Sequence, residues 1–419
     1  MLNHRIISNL YILIFGIAFG LKFYFLCDGD VLNHYPLISP DGFDWYTEGT
    51  YLIKIFFEKN LPNLPVLRPP FFVLITSLDY LLGSKGIILS IIYSFSLVMT
   101  YFLMLWIIEI GSAVKNKNAW FLFPLALSVT IYPINFIKGY LLSDSIAVCF
   151  SLLSVFFLIK YFNEKKPYLL SISSLIALIG GLTQIYALLP FLIFISLRLI
   201  PVYKTNKVNA LVLITNILVT IILFIFVIYI WRHALKHNST PKNFEFLKLG
   251  FGMLEFYINT WGYYFLPFII FLIGYRDKKF IFIKPPLIFL SSLTVAVLII
   301  FLCSIYQWPE SRFTYYFWPW ILIAFFGIVI PNEDKAASKL IVALMLFFSF
   351  LSPDNPWQPR LKSLSLNYHQ NWAMGYFESK PVDRELDKCI TAECEGNKFI
   401  ENSDSYVRSV IFINLSLNK

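Results

Sequence analysis

Two aspartates, Asp41 and Asp44, stand three residues apart in a polar stretch that continues through Tyr46 and ends at Arg68-Pro69-Pro70. A carboxylate held beside a membrane surface can take a proton from a hydroxyl and make it nucleophilic. It can equally cap the amphipathic stretch that follows, which carries Trp45, Tyr46, Tyr51, Ile55 and Phe56, by accepting free N–H groups. One residue can do both. Asp41 is the first candidate base and Asp44 the second. Cations able to stabilise charge on a departing phosphate are Arg68, Lys138 and Arg312. Each has an ordinary alternative: loop anchoring for Arg68, an interfacial lysine for Lys138, and for Arg312 a snorkelling side chain paired with Glu310. Asp144, in Leu142-Ser143-Asp144-Ser145, stands at the mouth of an apolar run. Gln184 closes the small-residue stretch Gly180-Gly181-Leu182-Thr183-Gln184, where a lone polar side chain can bond across helices.

Metal chemistry is weakly coded. Asp41, Asp44 and Asp144 offer hard oxygens suited to a divalent cation, yet their spacing demands none. His233 and His237 lie four apart near Glu245, without an HExxH pattern to make zinc the reading. Cys389 and Cys394 suit a local disulfide better than a metal site. No metal or other cofactor is therefore expected to be required.

The elements that must position these residues are apolar. Of 419 residues 58% are hydrophobic and only 14% charged, with a mean hydropathy of +0.68. A soluble domain carries about 25% charged residues, so the chain reads as an all-α polytopic membrane protein. The net charge of +9 is spread over short loops, which points to membrane lipids rather than nucleic acid. About 11 spans are expected, near 6–27, 87–110, 119–134, 141–159, 168–183, 185–199, 208–230, 252–274, 285–306, 313–330 and 338–351. The stretch 168–199 also admits a single long tilted helix, which would invert everything after it.

Charge orients the scheme. With the N-terminus cytoplasmic, Lys115, Lys117, Lys160, Lys165, Lys166, Lys204, Lys207, Arg276, Lys278, Lys279, Lys284, Lys335 and Lys339 fall on the cytoplasmic side. The first outer loop holds acids instead: Asp28, Asp30, Asp41, Asp44, Glu48 and Glu58. That asymmetry follows the positive-inside rule. Counting 69–82 as a span would reverse Lys115 and Lys117, so it is expected to be a helix at the outer interface. The expected organisation is a membrane domain over 1–351, with the outer loop and its interfacial helices at 28–86, and a small extracytoplasmic region at 352–419. That last region is about one-quarter charged, like a soluble domain.

This layout resembles the membrane glycosyltransferases of the GT-C fold that use polyprenyl-phosphate sugars, such as protein mannosyltransferases and lipid A aminoarabinose transferases. Those proteins carry an acid early in a long first outer loop, then a Tyr and an amphipathic helix, as Asp41 and Tyr46 do here. An Arg–Pro segment then enters a helix, as in Arg68-Pro69-Pro70-Phe71-Phe72, and an acid often stands at the mouth of a later span, as Asp144 does. The resemblance covers about residues 1–330 in layout. Gln184 stands where many members carry a basic residue, and 352–419 is smaller than many of their soluble domains.

The resemblance implies a polyprenyl-phosphate-linked sugar donor and a lipid, glycan or protein acceptor. Asp41 and Asp44 would serve catalysis, and Arg68, Arg312 and Lys138 would hold donor phosphate. Asp144, Tyr46 and Gln184 would contact sugar or acceptor. A single displacement at the anomeric carbon inverts its configuration. The expected location is a prokaryotic inner membrane, with the site on the extracytoplasmic side. Three other classes remain open at this stage. A surface polysaccharide polymerase or ligase is disfavoured by the shortness of loop 231–250. A lipid-linked glycan transporter would be expected to show internal repeats. A non-catalytic membrane assembly protein would tolerate Asp41→Asn.

Overall fold

The computed structural model describes residues 69–83, 87–111, 143–234, 287–304 and 314–329, together with 13, 48–49 and 52–53. The expected spans 6–27, 119–134, 252–274 and 338–351, and the region 352–419, lie outside the described residues. Within them every regular element is helical: α1 Pro70–Leu81, α2 Ile87–Gly111, α3 Asp144–Glu164, α4 Pro167–Thr183, α5 Leu189–Thr205, α6 Lys207–Ala234, α7 Leu287–Ser304 and α8 Thr314–Val329. A short 3-10 turn, Ile185–Ala187, joins α4 to α5.

Among the described residues, three stretches are long and apolar enough to cross a membrane: Asp144–Glu164, Ile185–Lys204 and Lys207–Trp231. The 21 residues of α3 rise about 32 Å, enough for a hydrocarbon core of about 30 Å. α6 makes the environment plain. Most of its surface is exposed, with Val208, Leu211, Ile222, Ile225 and Phe226 facing outward and only Ala210, Leu213 and Thr220 buried among its described side chains. In water this would be a large apolar liability; in lipid it is an ordinary surface. The fold is that of a helical, membrane-integral protein.

Side-chain contacts fix the helix directions. Ser96 of α2 bonds Ser145 of α3 at 3.3 Å, and Trp106 meets Phe156 at 5.5 Å, so α2 and α3 run parallel. The chain then reverses through Lys165-Lys166-Pro167. Lys165 takes a left-handed conformation (φ 57°) and caps α3 by donating its N–H to the Tyr161 carbonyl, while Pro167 opens α4. Ser173 donates to the Ser154 carbonyl at 2.7 Å across the resulting antiparallel pair.

The stretch expected at 168–199 is two helices, not one. Gln184 adopts an extended conformation (φ −156°, ψ 131°) and ends α4. Pro190, near the start of α5, has no N–H with which to continue an earlier helix. α5 therefore begins at Leu189, later than the expected 185, and runs on to Thr205. Its Leu188 end lies against Gly181 and its Arg198 lies over Phe162 near the end of α3, so α5 is antiparallel to α4. α6 returns parallel to α4, with Ser174 bonded to Asn216 and Gly181 against Phe224. α8 follows α5, with Tyr316 against Tyr186 and Trp320 against Phe194.

The bundle thus has two chemically different ends. One gathers the starts of α3, α5 and α8. The other gathers the α3–α4 and α5–α6 turns, with Lys165, Lys166 and Lys207. Between them lies an apolar core centred on α3, with Tyr101, Phe191, Phe289, Phe317 and Trp320 fully buried.

Two glycines allow the tight packing beneath the first end. A Cβ at Gly180 would stand 3.1 Å from the Phe150 Cβ, and one at Gly181 would stand 3.2 Å from that of Leu188. Small residues at such crossings let helix backbones approach closely. α1 has 12 residues, a rise of about 18 Å, too short to span. It packs against α2 and α4, and its Phe71 meets Phe150 of α3 edge-on at 5.5 Å.

Candidate functional site

Asp144 is the first residue of α3 and is only 6% exposed. The start of a helix presents free N–H groups and the positive end of its dipole, which favours an acid in the first turn. Asp144 nevertheless does more than decorate a helix end. The Tyr316 hydroxyl, from the first turn of α8, donates to its Oδ1. Residues 172 positions apart in sequence are joined at one buried point. Burying a carboxylate among apolar helices is costly unless donors meet it, and Tyr316 supplies one.

Around this pair the polar groups of three other elements converge. Gln184, half-buried in the α4–α5 turn, donates from Nε2 to the Ser143 Oγ at 2.9 Å. The break in the helix at Gln184 is what turns its side chain toward α3. Tyr186, in the next turn of chain, lays its ring against that of Tyr316 with centroids 5.3 Å apart. On the far side Ser96 of α2 donates to Ser145. Below them Thr100 donates to the Ser96 carbonyl at 2.7 Å. The result is a buried cluster of hydroxyls, one amide and one carboxylate at a bundle end, beside two tyrosine rings. Such a set can hydrogen-bond a polyhydroxylated group and stack on its flat face.

Of the residues singled out by sequence, Asp144 and Gln184 are brought together here. Both touch the Ser143–Asp144 corner. Asp41, Asp44, Tyr46, Arg68, Lys138 and Arg312 lie outside the described residues. Ser143, Tyr186 and Tyr316 were not singled out, nor were Ser96, Thr100 and Ser145. Their sequence signal is faint, since a tyrosine among 25 in the chain does not stand out.

A second buried acidic locus lies at α1. Asp79 is fully buried within the otherwise apolar helix, and Glu48 is 8% exposed. Gly49, beside Glu48, accepts the Ser77 hydroxyl at 2.9 Å through its carbonyl. A Cβ on Gly49 would lie 2.3 Å from the Thr76 Oγ1 and 2.7 Å from the Ser77 backbone nitrogen. The stretch at 48–49 is therefore seated directly on α1, backbone to backbone. The single acid inside Pro70–Leu81 was the available signal for Asp79, because an ionisable residue in an apolar helix is costly and usually has a purpose. Among the described residues, no group of three or more His, Cys, Asp or Glu is placed to hold a metal ion.

No family model, no curated protein and no solved structure matches the chain.

Proposed function

We propose that the protein is an inverting membrane glycosyltransferase of GT-C type, which moves a sugar from a polyprenyl-phosphate donor to an acceptor hydroxyl at the membrane interface. The observation that carries this reading is the buried Asp144 carboxylate, bonded by Tyr316 beside Gln184 and Ser143 at the bundle end away from the lysine-bearing turns. Polar side chains buried inside an apolar helical bundle are expensive and mark substrate sites by default. Hydroxyl, amide and carboxylate groups backed by tyrosine rings suit a sugar better than an ion or an apolar lipid tail.

In this reading Asp41 is the base, with Asp44 as the second carboxylate. The acceptor hydroxyl attacks the anomeric carbon and gives its proton to the carboxylate. The new C–O bond forms as the bond from the anomeric carbon to the phosphate oxygen breaks, and the electron pair leaves with the phosphate. Arg68, with Lys138 and Arg312, stabilises that charge. Asp144 and Gln184, with Tyr46, hold the sugar or acceptor through hydrogen bonds and transfer no proton. No step calls for a metal. The lysine-bearing end faces the cytoplasm and the Asp144 end the extracytoplasmic side of a prokaryotic inner membrane, as the positive-inside rule would have it.

A non-catalytic reading has one observation in its favour: the Asp144–Tyr316 bond also ties α8 to α3, as a clasp would. Transfer from a panel of radiolabelled polyprenyl-phosphate sugars, in membranes holding matched amounts of wild type and Asp41→Asn, separates the two. Transfer by wild type and its loss in the variant supports the enzyme. Equal transfer by both would sink Asp41 as base, and a wild type inert toward every donor would favour the clasp.

A further inference from the structure

At the bundle end opposite Asp144, two cations stand outside the ion pairs made among the described residues. Glu164 engages Lys166 at 2.9 Å and Lys160 at 3.9 Å. Lys165 and Arg198 have no carboxylate within 4.0 Å among the described residues. These two cations meet at one side chain. The Arg198 guanidinium lies 5.5 Å from the centroid of the Phe162 ring, and the Lys165 ammonium lies 6.0 Å from the same centroid.

Neither position is accidental. Lys165 occupies the left-handed cap of α3, a conformation unfavourable for any residue with a Cβ. The turn itself, not an ion pair, sets where this side chain begins. Arg198 lies on α5 seven residues before its end at Thr205, a depth of about 10 Å, and is half-buried. A snorkelling arginine sends its head to water. Here the head lies over a ring that a second cation shares. An anion beside this ring would supply the partner that neither cation has among the described residues. Near the same end, α6 exposes Val208, Leu211 and Val212, as a lipid-facing helix would. Phe162 lies two residues before the end of α3, and at the end of a membrane-spanning bundle the anion within reach is a lipid phosphate, which an arginine fork can grip by two hydrogen bonds.

We propose that Lys165, Arg198 and Phe162 form a headgroup site for an anionic phospholipid at the lysine-bearing end of the bundle. Arg198 holds the phosphate oxygens and Lys165 supplies the second charge. Phe162 fills the space beneath the glycerol. The site is independent of the sugar-transfer reading and stands if that reading falls.

The test uses the full-length protein purified in detergent, mixed with phosphatidylglycerol or phosphatidylcholine of matched chains, with bound lipid counted by native mass spectrometry. One phosphatidylglycerol is expected to stay bound while phosphatidylcholine is lost. The double variant Lys165→Ala/Arg198→Ala should weaken phosphatidylglycerol binding on the order of thirtyfold. Lys204→Ala/Lys207→Ala removes the same charge from the neighbouring turn and should change it by less than about threefold. Arg198→Lys keeps the charge and loses the fork, so its affinity should fall between wild type and the double variant. Millimolar inorganic phosphate should leave the lipid in place. Equal losses in the two double variants, equal binding of both lipids, an Arg198→Lys protein indistinguishable from wild type, or displacement by free phosphate would each overturn the site.

Discussion

The bond between Tyr316 and Asp144 makes a quantitative demand on stability. Both residues are nearly fully buried, at 3% and 6% exposed. A hydrogen bond to a charged group contributes about 1.5–3 kcal/mol net, whereas side-chain bonds between helices in membrane proteins average about 0.6 kcal/mol in double-mutant cycles. The position of Asp144 in the first turn of α3 adds about 0.3–1 kcal/mol if the group is ionised. The cycle to measure combines Tyr316→Phe, Asp144→Ala and the double variant, in equilibrium unfolding from detergent micelles. Each single change takes this bond from a partner that stays buried, while the double change removes both and costs less than the sum. A coupling of about 1.5 kcal/mol or more is expected. Repeating the cycle with Asp144→Asn keeps shape and acceptor but removes the charge, and its coupling should fall to about 0.6 kcal/mol. A coupling below about 0.5 kcal/mol for the Ala cycle would refute the claim that the pair is a buried, charge-assisted bond.

Other consequences follow from the same geometry. Gly181→Leu should destabilise the bundle by about 1–3 kcal/mol, because its side chain must enter space held by Leu188 and Phe224; unfolding in the same micelles reads this directly. Gly49→Ala should lower thermal stability more than Gly83→Ala. The first drives a Cβ into the backbone of α1, while the second costs only the left-handed conformation, about 1–2 kcal/mol, with open space around it. Cysteines placed singly at Gln184 and at Lys207 should react with a membrane-impermeant thiol reagent from opposite sides of intact vesicles, in a background where Cys27, Cys303, Cys389 and Cys394 are replaced by serine and Cys149 is unreactive because it is buried. Labelling of both from one side would contradict the antiparallel run of α4 and α5.

How much of this could be read from sequence depends on what kind of signal each residue leaves. The helices show because apolar runs of span length and the lysines between them are one-dimensional signals; Lys165-Lys166-Pro167 marks a turn at a glance. The break between α4 and α5 was harder. Gln184 and Pro190 interrupt 168–199 without a charged loop, and only the extended backbone at Gln184 shows that the chain reverses. The short α1 was expected at the interface from charge counting; the structure shows a 12-residue helix there, below span length. Asp144 was visible because an acid at the mouth of an apolar run has few neighbours to explain it. Its partner was not, since Tyr316 comes from 172 residues away and looks like any interfacial aromatic. Gln184 was open to two readings, a cross-helix bond or the replacement of a basic residue; its bond to Ser143 is of the first kind. Asp79 went unmarked although its setting in Pro70–Leu81 is as anomalous as that of Asp144.

The most direct test of the central claim is sugar transfer by Asp144→Asn, with the rate expressed per folded protein as judged by its unfolding transition. The substitution keeps the size of the side chain and an acceptor for Tyr316, so a clasp survives it while a sugar contact that needs the charge does not. Losing one charged hydrogen bond to the reacting complex, about 1.5–3 kcal/mol, lowers kcat/KM on the order of tenfold to a hundredfold. The account predicts that loss with the fold intact; wild-type transfer from a folded Asp144→Asn protein would contradict it.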